Sequence, residues 1–329
     1  MKFFAIFRFF KGTVGKVFLG LILVGVAWFV WTAKLSVNLK PEKISFSMYN
    51  WPKELEGLKV VQLSDTHFDT GKENKAAIEA VDWANQQNAD LIVLTGDFVN
   101  NNASIDLAIE NLKKLHAKMG VYAVLGDWDY ATQPYVNTEK LKASLEDVDI
   151  HLLINEAKKL EYKNKEFWLV GVDPHGFNQN VPTVLTSFAD VRVDDPKIVL
   201  AHSPDVIDLL LRMDMRIDLL LCGHTHGGQV ALPFIGPLYT TSLHGLKYAA
   251  GKFEVRRDEP GVEEFLANEA SKMFGQQVGQ IVNAAKGKVQ ELAKNQKPIQ
   301  MYVSRGLGEN ANFGFRFRVN PEVSLFTLK

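Results

Sequence analysis

Seven side chains able to bind cations recur in one kind of place along this sequence, directly after short apolar runs. Leu58–Leu63 leads into Ser64-Asp65-Thr66-His67, Leu91–Thr95 into Gly96-Asp97, and Val121–Leu125 into Gly126-Asp127-Trp128-Asp129. Ile198–Ala201 ends at His202, and Leu219–Cys222 runs into Gly223-His224-Thr225-His226-Gly227-Gly228. Carboxylates at 65, 97 and 127 and imidazoles at 67, 202, 224 and 226 cannot share a small pocket as free groups, because repulsion and desolvation cost too much. Divalent cations neutralise such a set, and mixed nitrogen and oxygen ligation suits Mn, Fe, Zn or Ni. Two such ions ~3.5–4 Å apart can hold a bridging hydroxide and clamp a phosphate for in-line attack. Two divalent metal ions are therefore the expected cofactors.

The elements that must position these residues follow from the apolar runs. Their near-continuous Val, Ile and Leu content suits strands buried on both faces. Helical periodicity near 73–87 and 104–118 reads as the crossovers of βαβ units, so the class is α/β. Phe167–Val172 adds a further strand, and Ile299–Val303 and Val323–Leu328 read as closing strands. In parallel sheets ligands collect at the carboxyl ends of strands, so five strand ends carrying Asp or His are expected to converge.

As an ordered set, Asp65-x-His67, Gly96-Asp97, Gly126-Asp127-x-Asp129, His202 and Gly223-His224-x-His226 resemble the motifs of the calcineurin-like metallophosphoesterases. Leu200-Ala201-His202-Ser203-Pro204-Asp205, Gly223 to Gln229 and Val303-Ser304-Arg305-Gly306-Leu307-Gly308 are similar to the membrane-associated branch that includes UDP-2,3-diacylglucosamine hydrolases. The resemblance covers roughly residues 55–250 and 299–328. It implies a four-layer αββα sandwich, with Asp65, His67 and His226 on a first metal, Asp97 bridging, and Asp127, His202 and His224 on a second. Asp129, which closes the third motif, and Arg305, which could grip a phosphate bidentately, are the catalytic candidates.

One departure falls inside the site. The family's third motif reads Gly-Asn-His-Asp or Glu, where this chain has Gly126-Asp127-Trp128-Asp129. Asp127 can still ligate through oxygen, with an added charge that binds the metal more tightly and weakens it as a Lewis acid. Trp128 has no transferable proton with which to replace the missing histidine. That loss matters most for poor alkoxide leaving groups and least for a phosphoanhydride, whose leaving phosphate has a second pKa of ~6. The expected function is a phosphohydrolase acting on a lipid-linked pyrophosphate such as UDP-2,3-diacylglucosamine, in the lipid A pathway. A broad-specificity phosphodiesterase of the cell envelope and a catalytically silent scaffold are the alternatives.

Outside this core, residues 1–34 read as a basic leader and membrane anchor, 35–54 as a linker, and 55–329 as the catalytic domain. Val17 to Ala33 is a 17-residue stretch without charge, roughly 25 Å as a helix. Trp28 and Trp31 crowd its distal end as interfacial aromatics do. The poor fit of Trp31 to a small-residue cleavage site favours an uncleaved single-pass anchor over a signal peptide. Lys2, Arg8, Lys11 and Lys16 precede the span, which places the catalytic part on the non-cytoplasmic side. Residues 258–297 read as an inserted amphipathic helix, either packed on the domain's own core or acting as a lid or membrane contact for an acyl-chain substrate.

Lys and Arg number 37 against 38 Asp and Glu, a balance unlike that of a nucleic-acid binder. The single cysteine, Cys222, rules out a disulfide framework and a Cys-based zinc site. His116 and His151 read as surface or structural, His175 as a loop residue, and His244 with Lys247-Tyr248 as candidates for the substrate mouth.

Overall fold

Alternation along the apolar runs builds the core. In β2 (Lys59–Leu63) and β3 (Leu91–Thr95), Val61, Leu63, Ile92 and Leu94 face one way, while Val60, Leu91 and Val93 face the other. A strand apolar on both faces must be covered on both, which demands layers. The computed structural model describes residues 13–130, 136–173, 181–213, 215–256, 297–309 and 314–329.

Two six-stranded mixed sheets provide those layers. The first has the order β1 (Lys40–Phe46), β14 (Glu322–Leu328), β2, β3, β4 (Val121–Val124), β5 (Ile150–Leu152). The second has the order β12 (Gly251–Val255), β13 (Ile299–Val303), β9 (Leu219–Cys222), β8 (Lys197–Ala201), β7 (Lys165–Val172), β6 (Glu156–Tyr162). Strands β2 to β5 are parallel, as are β7, β8, β9 and β13. β10 (Ala231–Leu232) and β11 (Gly236–Pro237) form a separate small hairpin.

Between the sheets lies a core that joins Val60, Leu91, Val93 and Phe326 to Phe167, Leu169, Ile198, Leu200, Leu219 and Leu221. Ala80 and Ala84 of α2 (Lys75–Gln86), Ala108 and Leu112 of α3 (Ile105–Leu112) and Leu141 and Leu145 of α4 (Thr138–Glu146) cover the outer face of the first sheet. Val184 of α5 (Val181–Thr186), Phe188, and Ile207 and Leu210 of α6 (Ile207–Leu210) cover the outer face of the second. Helices outside, sheets inside, is the layering expected.

Several expectations need amendment. Residues 35–54 are no plain linker: β1 pairs in parallel with β14 at the sheet edge, and Phe46, Met48 and Trp51 enter the core. Pro41 is tolerated there because an edge strand need not donate from every amide. The helix expected over 104–118 stops at Leu112, and Leu115 turns back into the core. The inserted helix at 258–297 and His175 lie outside the described residues. The candidate anchor lies in α1 (Thr13–Leu35), whose Val17, Leu21, Ile22, Leu23, Val24 and Trp31 are exposed and whose Trp28 meets Phe317 edge-on at 6.0 Å. Among the described residues no helix is long and apolar enough to cross a membrane.

Candidate metal centre

Strands β2, β3 and β4 of one sheet and β8 and β9 of the other deliver their carboxyl ends to one place, where the seven expected residues meet in two groups. Asp65, His67, Asp97 and His226 offer ligand atoms within 4.8 Å of one another, and so do Asp127, His202 and His224. Sharp backbone turns aim them. Asp65, His67, Asp97, His224 and His226 all have positive φ, between 43° and 71°, a region that costs non-glycine residues energy and persists only where the surroundings enforce it.

Asp97 stands between the groups. Its Oδ2 is 3.3 Å from His67 Nε2 in the first and 3.3 Å from His202 Nε2 in the second. In the second group Asp127 Oδ1 is 2.9 Å from His202 Nε2 and 3.0 Å from His224 Nδ1, and the two imidazole nitrogens are 3.1 Å apart. Despite these distances Asp127 Oδ1 is buried without a properly directed hydrogen bond. Nitrogen and carboxylate oxygen atoms crowded this closely around two common points fit a cation at each, so the residues present suit divalent metal ions.

The outward nitrogens are fixed as metal-ligating imidazoles require. His67 Nδ1 meets Asn100 Oδ1 at 2.8 Å and His202 Nδ1 meets the Thr95 carbonyl at 2.7 Å, which leaves each Nε2 facing the centre. Burial opposes charge on His202, yet Asp97 and Asp127 raise its pKa well above the usual imidazole range. Burial likewise opposes the ionised form of Asp97, and the His202 and His67 contacts hold its pKa low. A proton on His202 would thus take the electrostatic place of a cation, and a metal held by His202 would displace it. His226 goes the other way, held low by burial and by the charges of His67 and Arg316.

The two catalytic candidates are occupied elsewhere. Asp129, fully buried, accepts the amides of Gly126 and Asp97 on Oδ2 and of Phe98 on Oδ1, each at 2.8 Å. Burial and the nearby Asp97 charge push its pKa up to about 7 against those amides. Its two oxygens thus clasp the loop after β3 to the loop after β4. Arg305 is engaged by Glu42 and Glu322, each at 2.8 Å, and ties β1 to the start of β14. The backbone after Arg305 serves the site instead: Leu307 and Gly308 donate their amides to the Asp65 carbonyl, at 3.2 and 2.7 Å.

Other expectations resolve simply. His244 pairs with Asp208 at 3.1 Å and lies edge-on to the buried Tyr248, while Leu243 and Thr241 line the cavity at the second group. His116 and His151 stay away from the centre; His151 packs beside Tyr122.

Sequence reasoning missed a buried polar chain beneath Asp65. Gln62 Nε2 donates to Thr95 Oγ1 and, across to the second sheet, to the Cys222 carbonyl, both at 2.9 Å. Thr95 Oγ1 donates to Ser64 Oγ, which donates to Asp65 Oδ2, both at 2.6 Å. The signal was a glutamine inside an apolar strand. Also missed were Asn100 and the buried Arg316, which donates to the carbonyls of Arg305 and Gly308 and lies 3.3 Å from His226 Nδ1. Burial pushes Arg316 down to about 10, so it stays charged at neutral pH.

The sequence profile of the calcineurin-like phosphoesterases matches residues 58–228, just over half of the chain. The chain belongs to that family. Among its relatives, the phosphodiesterase YaeI of Escherichia coli (strain K12) is 30% identical over 198 residues, covering 59% of this chain and 69% of that protein. The uncharacterized metallophosphoesterase YkuE of Bacillus subtilis (strain 168) is 27% identical over 293 residues, 84% of this chain and 81% of that protein. UDP-2,3-diacylglucosamine pyrophosphatase LpxG of Chlamydia trachomatis serovar D is 26% identical over 265 residues, 64% and 78% of the two chains. This phosphoesterase is therefore a metal-dependent hydrolase of phosphoric esters, and the silent-scaffold alternative is not retained.

Proposed function

We propose that this phosphoesterase is a membrane-associated dinuclear-metal hydrolase of a lipid-linked phosphoanhydride, of the class of UDP-2,3-diacylglucosamine. The observation that carries the dinuclear reading is Asp97 Oδ2, equidistant from an imidazole of each group. In this reading Asp65, His67 and His226 would hold one ion, Asp127, His202 and His224 the other, and Asp97 would serve both. Divalent cations there supply neutralisation of phosphoryl charge and activation of water.

The chain's own residues set the rest. Asn100 and the Thr95 carbonyl orient His67 and His202. Trp128 packs edge-on against His67 with centroids 5.8 Å apart, and its indole can donate a hydrogen bond but transfer no proton. A site without an acid at this position suits a leaving group that departs as phosphate, and similarity to LpxG points the same way. The exposed apolar face of α1 supports a place at a membrane, with the charge bias of the leader favouring the non-cytoplasmic side. Similarity to YaeI favours a second reading, hydrolysis of phosphodiesters more broadly.

The test is Mn²⁺-dependent hydrolysis of UDP-2,3-diacylglucosamine and of bis(p-nitrophenyl) phosphate by the detergent-solubilised protein and its Asp97→Ala variant. Turnover of the lipid substrate by the parent alone supports the proposal. Equal rates in parent and variant overturn the metal mechanism, and turnover of the diester alone favours the second reading.

A further inference from the structure

Each group of ligands is reached by its own cavity. Asp127, His202 and His224 line one of about 180 Å³; His67 lines another, of about 430 Å³, which extends to the first turn of α2 and to Arg316. The larger cavity contains donors that none of the described residues uses. The amides of Lys75, Ala76 and Ala77 begin α2 and have no acceptor among the described residues; the first helical bond is made by Ile78, to the Asn74 carbonyl. Asn74 does not cap the helix, because its Oδ1 accepts the Asp69 amide at 2.9 Å and its Nδ2 donates to the Asp69 and Lys72 carbonyls. The first turn carries no acidic residue. Free amides and the positive end of the helix dipole favour an anion there.

Independently, Arg316 lines the same cavity, is 1% exposed, and has a buried Nη1 with no hydrogen-bond partner among the described residues. A buried guanidinium nitrogen left unbonded is costly, and an anion oxygen would satisfy it. Lys72 and Lys75 add positive charge; Glu73 and Glu309 oppose it, with Glu309 held by Lys72 at 3.3 Å.

We propose that this cavity is an anion subsite, in which the α2 amides and Arg316 receive the second phosphoryl group of a phosphoanhydride whose first lies at the metal ligands. The inference rests on the phosphoanhydride reading and deepens it by assigning the place where the second phosphate binds. It also gives Arg316 a role beyond packing, as a group that contacts substrate.

The probe is α,β-methylene-ADP, which cannot be cleaved between its phosphates, compared with AMP by calorimetric titration of the Mn²⁺-loaded full-length protein. The nucleoside is common to both, so the ratio of dissociation constants reads the second phosphate. Arg316 is a poor target, since its loss also unseats His226. Ala76→Glu instead places a carboxylate in the cavity at a helix position where acidic residues stabilise, and an undiminished melting temperature verifies its fold. We expect the diphosphate to bind the parent at least 10-fold more tightly than AMP, and the ratio to fall to about 1 in Ala76→Glu. A parent ratio near 1, or the parent's ratio retained in Ala76→Glu, overturns the subsite. Absence of Mn²⁺-dependent turnover of both UDP-2,3-diacylglucosamine and bis(p-nitrophenyl) phosphate would defeat the phosphohydrolase reading separately, because the titration needs no turnover.

Discussion

Gly126 lies so close against Asp97 that a β-carbon on the glycine would overlap the carboxylate oxygen Oδ1. The loop after β4 can therefore carry only glycine at position 126 while Asp97 keeps its pose. Gly126→Ala is expected to destabilise the protein by about 1–3 kcal/mol, the usual cost of overpacking, and to weaken Mn²⁺ binding. Thermal denaturation with and without Mn²⁺, together with metal content after dialysis, measures both. An unchanged melting temperature and full metal content would show that the loop yields freely.

Asp129→Asn separates a clasp from a catalyst. An amide cannot accept from the amides of Gly126, Asp97 and Phe98 together, so at least one N–H is left facing a donor, at a cost of about 1–3 kcal/mol. We expect Mn²⁺ affinity to fall ~10–100-fold, as for other residues that orient ligands, with most of the turnover restored by excess Mn²⁺. Turnover that stays low at saturating Mn²⁺ would return Asp129 to the catalytic set.

Asn100 holds His67 by one hydrogen bond. Asn100→Ala should weaken metal binding ~10–100-fold, whereas Asn100→Asp, which keeps an acceptor facing Nδ1, should retain most of it. Competitive titration with a fluorescent chelator reads the difference. Equal losses in the two variants would mean that the bond does not orient the ring.

Lys197 provides a test of stability against pH away from the metal centre. Burial lowers its pKa to about 8, although Asp218 raises it, whereas in an unfolded chain lysine titrates near ~10.4. Between these values the unfolded chain holds a proton that the native chain has released, so this group adds stability as pH rises from about 8 to ~10.4. Below about 8 its penalty is fully present. The parent should thus gain on Lys197→Met, by on the order of 1 kcal/mol after allowance for screening, when chemical denaturation is moved from pH 7 to pH 10. A difference independent of pH would show that Lys197 is not desolvated.

What was legible in the sequence was whatever shows itself as a change of residue type at a strand end. Asp65, His67, Asp97, Asp127, His202, His224 and His226 each interrupt or follow an apolar run, and a parallel sheet has one place to put such interruptions. Asp129 and Arg305 show why type and position alone do not give a role. A carboxylate three residues beyond Gly126 looks the same whether it faces a ligand or folds back onto three amides. An arginine after β13 looks free until Glu42 and Glu322 arrive from distant parts of the chain. Gln62 and Arg316 were opaque for the same reason, since their partners lie on other strands and loops. β1 was hidden by Pro41, because only an edge position accommodates it and edge positions are a property of the assembled sheet.

Strand order also sets when the site can form. β14 lies between β1 and β2, and Leu307 and Gly308 donate to the carbonyl of Asp65. Ligands encoded in the first third of the chain are thus buttressed by its last tenth. During synthesis the loop bearing Asp65 and His67 leaves the ribosome long before its support. Closing contacts across some 240 residues is slow compared with forming the βαβ units. The chain that has emerged only as far as β9 already presents these carboxylates and imidazoles, but the loop bearing Asp65 lacks its support until residues 307 and 308 have followed.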